Sequence, residues 1–144
     1  MSDRFVAEVL DATLEELERD VWPAPKDASP PLIENLHRLR RIPLRELRSE
    51  DLRLALNQGV GLRFLMPLAM GMLERDPFAQ GDFYPGDLLV AVARLDAAFW
   101  RDEPELRTRF GRVLEAARAR LPEINAPAGV ERALEAAART LRSP

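Results

Sequence analysis

Two aspartates five residues apart, Asp82 and Asp87, are the sharpest candidates for chemistry in this chain of 144 residues. They lie in the stretch "QGDFYPGDLL", residues 80–89. A pair of carboxylates can divide general-acid and general-base work, or can share a divalent cation. A hard cation wants more than two oxygen ligands, and Glu74 and Asp76 are near enough in sequence to add to the pair. A small helical metal-dependent enzyme or accessory protein using Asp82, Asp87 and Glu74 is therefore one candidate function. The same stretch also works as a helix start. With Tyr84 as N-cap, Pro85 takes the first helical position, where its missing amide is no loss, and Asp87 takes the third, where a carboxylate can bond back to the end amides. Phe83 and Leu88 then hold the positions of a hydrophobic staple, and Asp82 can bond the backbone of the turn. Acidic groups near helix starts answer the dipole without any chemistry, and this structural account is preferred to catalysis.

The remaining candidates are weaker. His37 is the only histidine and there is no cysteine. A histidine-based triad would have to use His37, which has no nucleophile motif nearby; a surface or half-buried helix histidine is expected. The usual zinc sites are excluded, as are disulfides and thiolate chemistry. "QGVGLRF" (58–64) has two glycines before a helix, but no strand precedes it and no lysine follows, so it is expected to link two helices and not to cradle a phosphate. Arg38, Arg40, Arg41, Arg45 and Arg48 could contact phosphates or an acidic partner. An overall charge of −3 favours a solvated face whose arginines pair with the acidic N-terminal segment. Trp22 and Trp100 are expected to plug the edge of the core.

The elements that must position these groups read as helices throughout. Thr13 and Glu16 have capping-box spacing, so a helix is expected to restart there. Residues 22–31 hold four prolines and form a loop, from which Pro30 or Pro31 can open a helix carrying Leu32, Leu36 and Leu39. Ser49 is the expected N-cap of a helix that stops at Gly59. Leu62–Leu73 is apolar on all sides and is expected to lie at the centre, with Pro67 kinking it or marking its start. A helix follows "QGDFYPGDLL" to about Leu95. Asp96 caps a turn holding Phe99 and Trp100, and Asp102 and Glu105 have capping-box spacing. Leu106, Phe110, Val113, Leu114, Ala117 and Leu121 make an amphipathic stripe, and Val130, Leu134, Ala137 and Leu141 mark a last helix. No alternating strand pattern is present. The expected fold is all-α: one domain, residues 1–144, built as a compact bundle of six to eight short helices around the apolar segment 62–73.

Composition bounds the function. Apolar residues make up 47% and charged residues 31%, as in an ordinary globular protein. The early apolar residues are interrupted by Asp3, Glu8 and Asp11, so no secretory signal is expected, and Phe64–Leu73 is too short to span a bilayer. Charge is segregated: residues 1–20 hold seven acids and two arginines, 34–48 five arginines and two acids, 74–104 seven acids and three arginines, and 105–144 eight arginines and five acids. A dedicated nucleic-acid binder is more often basic overall.

Four pieces of the chain resemble the immunity proteins of contact-dependent growth inhibition systems. They are "TLEELERDVWPAP" (13–25), "LHRLRRIPLRELRSEDLRLALNQGVGLRFLMPLA" (36–69), "DPFAQGDFYPGDLL" (76–89) and "FWRDEPEL" (99–106). The resemblance covers roughly residues 13–115, with "GDFYPGDLL" its most specific piece and Gln80 standing where glutamate is expected. It implies a cytoplasmic bacterial antidote without catalytic residues or cofactors, whose partner is the C-terminal toxin domain of its own system and not nucleic acid or membrane. Many such toxins attack nucleic acids and are basic where substrate binds. The expected partner-binding residues are therefore in the acidic segment: Glu74, Asp76, Asp82, Tyr84, Asp87, Asp96 and Trp100. A helical adaptor in an unrelated complex is the further alternative, and the oligomeric state is left open.

Overall fold

A computed structural model describes residues 8–26 and 29–142, and among them every regular element is helical. Residues 8–11 are helical, and α1 (Leu14–Glu18) restarts the chain after Thr13. The capping box forms as its sequence predicts: Glu16 N–H donates to Thr13 Oγ1 at 3.2 Å, and Thr13 N–H donates to Glu16 Oε1 at 3.3 Å. Two end amides are thereby satisfied. Leu14 is fully buried.

Helix α2 (Pro31–Leu39) opens on Pro31 and buries Leu36 and Leu39. A 3-10 turn at Leu44–Glu46 carries Leu44 and Leu47 into the core before α3 (Ser49–Asn57). Here the expected cap shifts by one residue. Arg48 is the N-cap, Ser49 is the first helical residue, and the Asp51 carboxylate accepts Arg48 N–H at 3.0 Å. The Ser49 hydroxyl is drawn instead to the Gln80 carbonyl, 2.7 Å away, a partner that local sequence cannot supply.

Gly59 and Gly61, both at positive φ (69° and 66°), turn the chain from α3 into α4 (Leu62–Arg75). At Gly61 there is a second reason for glycine: an added Cβ would lie 2.9 Å from the Leu14 methyls. Helix α4 buries Leu65, Met66, Ala69, Met70 and Leu73. Its other side shows Arg63, Pro67 and Glu74 to solvent. Pro67 sits inside the helix, and the residue four before it, Arg63, is also exposed, so the carbonyl that loses its amide partner can face water.

The most enclosed element is α5 (Asp87–Ala93), in which every residue is buried. It packs against α3, α4 and α8, with α4 lying against α3 on one side and α7 on the other. The segment 62–73 thus shares the interior rather than holding its centre alone. A helix of fourteen residues must turn one stripe outward, and this one turns out proline and arginine; the seven residues of α5 can be covered on every side.

Helices α6 (Ala97–Asp102) and α7 (Pro104–Arg120) follow without the expected capping box, because Asp102 closes α6 while Glu103 precedes α7 with no side-chain bond. Asp96 does cap α6, accepting Phe99 N–H at 2.9 Å. The α7 stripe buries Leu106, Phe110, Val113, Leu114 and Ala117. After a 3-10 turn at Leu121–Glu123, α8 (Ala128–Arg142) buries Val130, Leu134 and Ala137. One set of buried side chains runs from Leu14 to Ala137.

Candidate functional site

Residues 80–87 form a corner docked on the first turns of α3. Its keystone is Asp87, only 3% exposed. One carboxylate oxygen accepts Gly81 N–H at 2.6 Å and the other accepts Phe83 N–H at 3.1 Å. Asp87 N–H in turn donates to the Tyr84 carbonyl at 3.1 Å. Glu50 reaches across from α3 and accepts Asp82 N–H at 3.0 Å. The Ser49–Gln80 bond closes the set. Four side-chain bonds therefore pin one loop, three of them to loop amides and one to a carbonyl. The amides of Gly81, Asp82 and Phe83 each have a carboxylate acceptor.

This differs from the expected helix start. The helix begins two residues later, at Asp87, with Gly86 in the left-handed region (φ 94°) before it. Asp87 caps the loop backbone, not a Tyr84 amide. Phe83 is no staple: it is 66% exposed, with the Arg53 guanidinium 4.5 Å from its ring centre. Gly81 is favoured by proximity, since a Cβ there would lie 2.5 Å from Glu50 Oε1 and 3.0 Å from Asp87 Oδ2. Glu50 and Arg53 bond side by side at 2.6 and 2.7 Å. Neither was singled out from sequence. Their i,i+3 spacing on a helix was the available signal, but nothing local says that a loop thirty residues on will use the same carboxylate.

At Glu50 and Glu74 the surroundings favour the charged carboxylate. The Arg53 hydrogen bonds hold Glu50 below the ordinary glutamate range, against the opposing effect of burial and with help from the Asp82 amide. Arg53 is raised in return, chiefly by its bond to Glu50. Glu74 is likewise lowered by its hydrogen bonds from Arg109, at 2.6 and 3.0 Å, and Arg109 is raised. A general acid or base needs its affinity moved toward neutrality, and these shifts move away from it.

The seven sequence-predicted partner residues do not share one face or one role. Asp82 is exposed, with its backbone tied to Glu50. Tyr84 is half-buried. Glu74 is exposed but held by Arg109; Asp76 is exposed, accepts Phe78 N–H at 3.0 Å and lies 3.4 Å from Arg120. Asp96 is exposed and caps α6. Asp87 and Trp100 are inside, which corrects their assignment to a contact surface. Asp87 is consumed by loop amides. Trp100, 1% exposed, stacks flat on Phe110 at 5.0 Å because the α6–α7 junction folds its ring into the core. Nor do Glu74, Asp82 and Asp87 gather: among the described residues no three acids or histidines are placed to hold a metal ion.

The basic segment resolves as expected from its charge. Arg45 pairs with Asp11 (2.8 Å), Arg41 with Glu15 (3.2 Å) and Arg40 with Glu18 (3.0 Å), all in the acidic N-terminal segment, while Arg38 pairs with Asp51 (2.7 Å). Arg40 is buried, lies 4.1 Å from the Trp22 ring centre and donates to the Asp20 carbonyl at 2.7 Å. His37 is half-buried and meets Trp22 edge-on at 5.3 Å.

A family model described as CDI immunity proteins matches residues 16–110, well over half of the chain. The match begins within α1, takes in the arginine-rich segment, α3, α4, the corner and α5, and ends within α7. No curated protein matches the chain.

Proposed function

The chain belongs to the CDI immunity proteins, and from that premise we propose that it is the cytoplasmic antidote of a contact-dependent growth inhibition system. It binds the C-terminal toxin domain of that system and neutralises it by direct contact, with no chemistry of its own. The family match carries this proposal. The geometry supports it, because Asp87 holds loop amides and Glu50 and Glu74 hold arginines. No helix among the described residues is long and apolar enough to cross a membrane.

The outward acids Asp82, Glu74 and Asp76 act as steering charges for a basic part of the toxin surface. Opposite charge raises the rate of encounter more than it deepens the final affinity. Asp87 and Trp100 serve from behind, by keeping the corner and the α6–α7 junction in shape.

The test is protection. The toxin domain encoded beside this gene is expressed in a sensitive host, with and without the chain. Growth restored by the chain, together with a complex of the two purified proteins, is the expected outcome. A host that stops growing equally in both cases, with no complex formed, would sink the proposal.

A further inference from the structure

Three shallow depressions run along one side of the molecule and share lining residues, so they form one groove. The largest, about 680 Å³, lies between residues 93–97 and the outer side of α8, where Arg132, Ala133 and Ala136 line it. The middle one, about 440 Å³, adds Leu62 and Phe99. The smallest, about 230 Å³, ends at Phe83 and Tyr84 of the corner. Arg94 lines all three.

The charges of the groove are unequally committed. Asp96 gives its carboxylate to the start of α6, and Arg53 is held by Glu50. Arg94 and Arg132 are exposed, and neither has an ion pair among the described residues. This contrasts with the arginine-rich segment, where four of five guanidiniums have a carboxylate partner. What lies open is a trough of mixed polar and apolar lining in which Arg94 and Arg132 have no ion-pair partner, ending in an exposed phenyl ring.

We propose that this groove seats an acidic, amphipathic segment of the toxin domain, with carboxylates against Arg94 and Arg132 and apolar side chains along Leu95, Ala136 and Phe83. This deepens the immunity function proposed above and rests on it. A segment of that kind satisfies both the trough and its charges, as helix-in-groove recognition does elsewhere. The groove also has two walls of different standing. Residues 93–97 lie inside the family match, while α8 lies beyond its end at residue 110. Arg132 and Ala136 supply the α8 side of the proposed seat.

The experiment measures binding of the full chain to the toxin domain encoded beside it, carrying an inactivating substitution so that both can be prepared. Arg94→Glu and Ala136→Trp change exposed positions, and thermal unfolding checks that each variant keeps the fold. Each is expected to weaken Kd by about tenfold or more, chiefly through faster dissociation, as centrally placed interface groups do. Arg118→Glu, on α7 and outside the groove, should stay within about twofold because a remote exposed charge changes little beyond the encounter rate. Wild-type binding that neither groove variant alters would overturn the groove while leaving the immunity function standing. A wild-type chain that fails to bind would overturn the immunity function and the groove with it. A chain that dimerises alone, and becomes monomeric with Ala136→Trp, would show the occupant to be a second copy and refute the proposal.

Discussion

The corner at 80–87 and the arginine-rich face at 38–48 are both dense in charge, yet they hold the molecule in different ways. The corner concentrates its bonds on one buried carboxylate that serves two backbone amides. The face distributes its charge over separate side-chain pairs, several of them half-exposed; Arg45 and Asp11 keep 53% and 68% of their side-chain surface in water. A backbone amide cannot move away when its acceptor is lost, whereas an exposed guanidinium turns to water. The corner should therefore fail at single residues, and the face should tolerate losing them.

The largest break is expected from Asp87→Ala. It strands the amides of Gly81 and Phe83 beside the core, and the loss should be about 3 kcal/mol, the usual range for buried groups left unsatisfied. Chemical denaturation reads it directly, and a loss below about 1 kcal/mol would mean that water replaces the carboxylate freely.

Arg40→Ala sharpens the comparison from the other side, since Arg40 is the one buried member of the face. It removes the guanidinium lying over Trp22 and the bond to the Asp20 carbonyl. About 2 kcal/mol is expected for lost packing and a lost charge-assisted bond. A neutral result would make the whole face dispensable.

Gly81→Ala comes next. Its methyl would press on Glu50 Oε1, the end of a side chain that can swing, and on the anchored Asp87. A destabilisation of about 1 kcal/mol is expected, from overpacking partly relieved by movement. In a Glu50→Ala background the penalty should shrink. An equal penalty in both backgrounds would place the strain at Asp87.

Acid titration should separate the regions without mutation. Glu50 has its affinity for protons lowered by folding, so its contribution is complete above the ordinary glutamate value and is lost as pH falls through the lower folded value. Stability should thus decline on the acid side, and Glu50→Gln should flatten that part of the curve. An unchanged acid limb in Glu50→Gln would show that Glu50 does not contribute.

The smallest effect is expected from Arg45→Ala, at most about 0.5 kcal/mol, because exposed ion pairs contribute little after screening and side-chain entropy. A larger loss would remove the contrast between the two regions.

Local physics made much of this molecule legible before the structure. The capping box at Thr13, the N-cap at Asp96, the proline start of α2 and the apolar stripes of α7 and α8 each depend on residues within about four positions of one another, and each is found where it was expected. Two of the misplacements share one cause. Ser49 left its cap for Gln80 and Phe83 faced outward beside Arg53, each because a group about thirty residues away competed for it, while Asp87 closed the loop just before it rather than its own helix end. The central place of α5 was hidden for a related reason: hydropathy reports what a segment can bury, not how many neighbours will cover it.

The sequence by itself thus determined an all-helical chain, the segregation of its charges and its resemblance to an immunity family, since periodicity, composition and motif order are properties of the chain alone. Only the tertiary structure decided which acids face solvent. Asp82 and Asp87 are the same residue type, five positions apart in one motif, and α3 lies close enough to enclose one carboxylate and leave the other in water. That choice depends on how two distant segments pack, which no local pattern encodes.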